Sequence, residues 1–215
     1  MCGIIGIYNY EYEHYEQQEA QTYTDEESYT VKISNNIHYN SLQKKIDKVN
    51  INLLSSIINK LKLLQNRGRD SYGILLLNKK SLYLYKDIGS INEEKVYENY
   101  EQYTFLNNQK KILQNNLYNI GLGHIRYSTS YNNHNKISLY YALPFNGTHP
   151  ILGEFHLIHN GNINFKPEFV KKYYESYTTD DKYNDSQLLV KIIENIKTSN
   201  WLELIRYIID IIPGA

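Results

Sequence analysis

The sequence predicts a layered α+β fold, in which strands and helices mix without the regular alternation of a doubly wound sheet. Three observations carry this. Short apolar runs recur that are too brief for helices and are bounded by glycine or turn residues. One long stripe at spacings of three and four marks an amphipathic helix. Three further helical stretches, each behind a polar or proline start, complete the chain.

Ile4 to Tyr8, beside Gly3, reads as a buried strand. Residues 9–50 shift to Tyr, Glu, Gln and Asn with little periodicity, the composition of an inserted low-complexity loop whose tyrosines are compositional drift. Ile51, Leu53, Leu54, Ile57, Ile58, Leu61 and Leu64 then form the helical stripe, stopped by Gly68. Tyr72 to Leu77 and Leu82 to Tyr85 are strands joined by the turn Asn78-Lys79-Lys80-Ser81. Residues 88–119 read as a second inserted loop, polar and aperiodic from Glu93 onward, with a poorly ordered helix as the alternative there. Asn119 to Tyr127 is a buried strand running into a polar loop, and Phe155 to Ile158 is a short strand ending at His159-Asn160-Gly161. Helices follow at Lys166 to Tyr174 with Pro167 in the first turn, at Ser186 to Ile196 behind Asn184-Asp185, and at Trp201 to Ile211 behind Asn200. The chain stops at Pro213-Gly214-Ala215 with no closing strand, which reads as a fragment of a longer protein.

Composition bounds the function. A hydrophobic content of 41% supports a packed core, and 23 basic against 23 acidic residues leave no field to steer nucleic acid. A single cysteine excludes an internal disulfide and any zinc site built on several thiolates, and points to a reducing, cytoplasmic setting. No apolar run approaches the roughly 20 residues of a membrane span. The first residues carry neither the basic nor the long apolar region of a secretory signal.

Cys2 is a candidate nucleophile once Met1 is removed. Its α-amine, with a pKa of about 7.7–8.0, is then partly unprotonated near neutral pH and can take the thiol proton without a histidine. A small buried cysteine beside a strand is the alternative. Arg67-Gly68-Arg69-Asp70-Ser71-Tyr72-Gly73 suits a structured turn near a polar site, or a plain surface turn. Arg126, at the end of Gly121-Leu122-Gly123-His124-Ile125-Arg126, can hold a carboxylate by two parallel hydrogen bonds, or merely pair with a neighbouring acid. Ser128 and Thr129 add hydroxyls. The Asn160 amide and Gly161 N–H make an oxyanion hole, or an Asn-Gly turn. Asp185 is a helix cap or a carboxylate for a substrate ammonium. His156 and His159, three apart on a strand, point to opposite faces, against a metal site.

In this order, Met-Cys-Gly-Ile, R-G-R-D-S-Y-G, G-H-I-R-Y-S-T, H-N-G-N and N-D-S-Q resemble the glutaminase domain of class II glutamine amidotransferases. The resemblance covers most of the chain outside the two inserted segments. It implies a four-layer αββα sandwich of N-terminal nucleophile hydrolase type over residues 1–215, with no cofactor and no metal. It also implies roles: Cys2 attacks the side-chain amide of L-glutamine, Asn160 and Gly161 hold the oxyanion, Arg126 binds the α-carboxylate and Asp185 the α-ammonium. Arg67 is similar to an arginine bracing the site, and Thr129 to a substrate-loop residue. R-Y-S-T with Ala142-Leu143-Pro144-Phe145 is most similar to the branch that serves a phosphoribosyl acceptor in purine synthesis; Tyr127 and Ser130 depart from the R-W-A-T-H-G of hexosamine-forming relatives. The implied partner is a C-terminal synthase or transferase domain outside this chain, in a full-length form compatible with a homo-oligomer. A hexosamine-forming enzyme, a catalytically silent glutamine-binding domain and an N-terminal nucleophile peptidase are the competing readings.

Overall fold

The computed structural model describes residues 3–8, 31–79, 81–109, 117–127, 138–178 and 183–212. Its elements are β1 (Gly3–Tyr8), α1 (Val31–Leu64), β2 (Ser71–Leu77), β3 (Leu82–Ile88), α2 (Glu93–Gln109), β4 (Ile120–Arg126), β5 (Phe145–His149), β6 (Gly153–Leu157), α3 (Pro167–Tyr173), α4 (Asp185–Asn195) and α5 (Trp201–Ile211). Short 3-10 turns follow α1 at Gln65–Arg67 and precede β5 at Leu139–Tyr141. The content is α+β. An antiparallel sheet of order β1-β4-β2-β3 is joined by a β5-β6 hairpin.

Side chains alternate across a strand, so Tyr72, Ile74 and Leu76 of β2 share one face with Ile125, Gly123 and Gly121, their partners on β4. Helices α1 and α2 cover that face. Leu53, Leu54, Ile57, Ile58 and Leu61 are almost completely inaccessible there. Together they anchor α1 with apolar burial on the order of 10 kcal/mol. The glycines of β4 bring the helix close: a Cβ on Gly121 would sit 2.3 Å from Ile57 Cδ1.

The opposite face presents Ser71, Gly73, His124 and Arg126, with Gly73 paired to both Lys86 and His124. Residues 142–145 cross it. A Cβ on Gly73 would lie 1.9 Å from the Leu143 carbonyl oxygen, so this crossing requires a bare α-carbon. The Leu143–Pro144 peptide is cis. Beyond it, α4 packs on the hairpin: Val190 joins Leu143 and Phe145, while Leu189 and Ile193 join Ile163 and Leu204 of α5.

Both segments read as insertions contain helix, the second taking the helical alternative. Within 9–50, helix α1 already runs from Val31, and within 88–119, α2 occupies Glu93–Gln109. Asn50 stands outside the apolar stripe read from the sequence, and Ile51, counted in that stripe, is 43% exposed. Asn50 is nevertheless buried, and its Oδ1 accepts the backbone N–H of Tyr118 at 2.9 Å. In α2 the inward positions are Val96, Tyr100 and Tyr103, spaced by four and three, and tyrosine takes the place of leucine. Its ring supplies apolar area while its hydroxyl finds a partner. Tyr83 packs edge-on against Tyr100 and Tyr103 at centroid distances of 5.0 and 5.2 Å, and Tyr103 donates to the Leu82 carbonyl at 2.7 Å.

Candidate functional site

The arginine-rich turn is built on the end of β4. Gly68 lies so close that a Cβ would stand 2.6 Å from the Arg126 carbonyl oxygen, and the Asp70 N–H donates to that oxygen at 3.2 Å. Gly89 N–H in turn donates to the Asp70 carbonyl at 2.9 Å. Arg67, at the end of the 3-10 turn, is exposed and enters this turn directly. Arg126 closes β4, opposite Ser71, with its guanidinium carbon 5.4 Å from the centre of the Tyr141 ring. That cation–π contact aims the side chain at the 139–141 turn.

The His159-Asn160-Gly161 turn leaves β6 toward the same end of β4. His124, fully buried, brings its Nε2 to 3.1 Å from the His159 carbonyl. A carbonyl only accepts, so Nε2 carries the proton and Nδ1 is a bare acceptor. Nδ1 is buried without a hydrogen-bond partner among the described residues, as is Ser71 Oγ. Burial pushes the His124 pKa down to about 4, the Arg126 charge adding to the effect, and the imidazole is neutral at pH 7. Asn160 and Gly161 are exposed.

From the turn the contacts reach α4. His159 Nδ1 is 2.9 Å from Ser186 Oγ and 3.9 Å from Asp185 Oδ2. The helix cap is Asn184, in a reciprocal capping box with Gln187, rather than Asp185. Asp185 accepts the Ile163 N–H at 2.8 Å through one oxygen and the Ser186 N–H at 2.8 Å through the other. A carboxylate with about four lone-pair sites keeps acceptor capacity beyond these two bonds. Gln187 Nε2 donates to the Tyr140 carbonyl at 3.1 Å, tying α4 to the turn that carries Tyr141.

These contacts link the 67–70 turn, Arg126, the 159–161 turn and Asp185, which come from four separate stretches of chain. Cys2 and Thr129 lie outside the described residues. The connecting side chains His124, His159, Ser186, Tyr141 and Gln187 were not singled out as site residues. Four stand inside quoted motifs and Tyr141 directly before one, and only a fold could show that they touch. A groove of about 440 Å³ lined by Lys172, Tyr173, Asn195 and Tyr207 lies at the other end of α4 from Asp185.

No family model matches the chain. It is 30% identical over 148 residues to an amidophosphoribosyltransferase of Pseudomonas aeruginosa, covering 68% of this chain and 25% of that one. It is 26% identical over 219 residues to an amidophosphoribosyltransferase of Methanocaldococcus jannaschii, covering all of this chain and 34% of the relative. Among solved structures it matches the glutamine phosphoribosylpyrophosphate amidotransferase of B. subtilis in complex with ADP and GMP, at 20% identity and a TM-score of 0.43. That match covers 72% of this chain and 30% of the other.

The chain is an α+β relative of the glutamine amidotransferases. More particularly, it is related to the amidophosphoribosyltransferases. It spans a quarter to a third of the length of the curated relatives it matches.

Proposed function

We propose that residues 1–215 are the glutaminase unit of a class II glutamine amidotransferase, with segments 9–50 and 88–119 as insertions. The observation that carries this is the contact chain through Gly68, Arg126, His124, His159 and Asp185. It gathers motifs that would otherwise have no reason to meet. In this reading the four-stranded sheet and the hairpin are the inner layers of a four-layer N-terminal nucleophile sandwich, with α1 outside one, where α2 from the second insertion packs beside it, and α4 outside the other.

The reaction is hydrolysis of L-glutamine. With Met1 removed, the Cys2 α-amine takes the thiol proton and the sulfur attacks the side-chain amide carbon. The tetrahedral oxyanion is held by the Asn160 amide and the Gly161 N–H, each donor contributing roughly 10²–10³ in rate. Collapse expels ammonia with the proton from the α-ammonium group, leaving a thioester on Cys2. Water then attacks the thioester, and glutamate leaves. Arg126 holds the α-carboxylate of the substrate and Asp185 its α-ammonium. Arg67 braces the arginine-rich turn, and Thr129 lines the substrate loop. Ammonia passes to an acceptor domain outside this chain, a phosphoribosyltransferase in the reading that the relatives support.

The test is glutamine hydrolysis by the Met-processed chain and by its Cys2→Ala variant, with mass spectrometry of the N-terminus. Activity that is equal in the two sinks the proposal.

A further inference from the structure

We propose that His124 is a positioning residue for the Asn160–Gly161 pair, acting through the carbonyl of His159. The inference rests on the glutaminase reading above and adds a residue that works through another rather than on substrate. His124 stands on an inner strand, paired to Ile4 on one side and Gly73 on the other, and is fully buried. Its imidazole is therefore a fixed post. The Nε2–H donates to the His159 carbonyl at 3.1 Å. That carbonyl and the Asn160 N–H belong to one planar peptide unit, so holding the oxygen sets the direction of the N–H and the entry into Asn160.

A second hold acts on the same turn from α4. The His159 ring is fastened by Ser186 Oγ at 2.9 Å, and Gly161 lies over it: a Cβ on Gly161 would come within 3.0 Å of His159 Nε2. The turn is thus clamped between strand and helix, while Asn160 and Gly161 themselves face outward. A histidine serving only as core filler would be poorly chosen, because its Nδ1 is buried and unpartnered among the described residues. Leucine would fill the same space without a stranded nitrogen.

The experiment compares His124→Leu, His124→Gln and the parent in the Met-processed chain. Misplacing reacting groups by about 1 Å costs on the order of 10²-fold. His124→Leu is accordingly expected to lose about 10²-fold in kcat for glutamine with KM within about twofold. His124→Gln, whose amide N–H can replace the donor, recovers to within about tenfold of the parent. An unchanged kcat in His124→Leu, or a Gln variant no better than Leu, overturns the proposal. Should His124→Leu not fold, His124→Asn, whose shorter side chain cannot reach the His159 carbonyl, carries the same test, with a loss of about 10²-fold in kcat expected at constant KM and no loss overturning it. Amide hydrogen exchange at Asn160 and Gly161, read in the Cys2→Ala background, gives an answer independent of turnover. Faster exchange on removing the His124 donor supports the role, and unchanged exchange overturns it. A parent chain without glutaminase activity would overturn the functional reading, and the exchange data would still decide the role of His124.

Discussion

Arg126 owes its place to backbone geometry: the last residue of an inner strand, held by Ser71 across the sheet and by the Asp70 N–H on its carbonyl. If its guanidinium grips the α-carboxylate of glutamine by paired hydrogen bonds, Arg126→Lys loses one of two charged bonds. KM should then rise by roughly 10–100-fold with kcat little changed, measured by steady-state glutaminase kinetics. His124 gives a second expectation. Its folded pKa is depressed to about 4, whereas an unfolded histidine titrates near 6.5. Between those values the unfolded chain binds a proton that the folded one does not, so stability falls as pH drops through that window. The loss is on the order of 3 kcal/mol by pH 4, checked by urea unfolding at pH 7 and pH 4, and His124→Gln should flatten it. At this scale guanidinium, amide and carboxylate side chains were visible as candidates, because each advertises its chemistry. The connectors were not. His124 and Ser186 act through partners 35 and 27 residues apart in sequence (His124 with His159, Ser186 with His159), and no local pattern records such pairings.

The glycines of the sheet separate two kinds of close approach. A methyl on Gly73 would meet the Leu143 carbonyl oxygen at 1.9 Å, and backbone cannot swing aside. A methyl on Gly121 would meet the far end of the Ile57 side chain at 2.3 Å, which can change rotamer. Thermal or chemical unfolding should show Gly73→Ala destabilising by about 3 kcal/mol or more and Gly121→Ala by about 1–2 kcal/mol. Reversal of that order would mean that the 142–145 crossing is soft. The same elements show what periodicity can and cannot convey. The α1 stripe from Leu53 to Leu61 was plain from spacing, since each residue in it is aliphatic and buried. Helix α2 was left undecided against an inserted loop because Tyr100 and Tyr103 are counted as polar drift unless the phenol is known to be capped, here by tertiary contacts. Strand β5 was missed for a related reason: its buried positions are Phe145, Gly147 and His149, only one of them strongly apolar. Gly147 is there because Phe155 and Val190 occupy the space of a side chain.

For the molecule as a whole, the α+β class followed from short strands interspersed with helices. The register that brings Arg126 beside Ser71 had to come from the fold. Helix α5 is apolar on both sides. Leu204 is buried in the hairpin cluster, while Leu202, Ile205 and Ile209 are 64%, 49% and 55% exposed. Ile205→Glu combined with Ile209→Lys should leave unfolding free energy within about 0.5 kcal/mol of the parent and raise solubility, checked by urea unfolding and by the concentration at which the chain precipitates. A large stability loss would show that this side of α5 is already covered in the isolated chain. Helix α5 also begins with Trp201, the one tryptophan in a chain of 23 tyrosines, its ring 6.1 Å from Phe155 and 6.4 Å from His149. Indole emission is therefore a built-in optical gauge of the seam between α5 and the hairpin. Light absorbed by the tyrosines and passed to that single acceptor adds a signal that falls when the elements around α5 come apart.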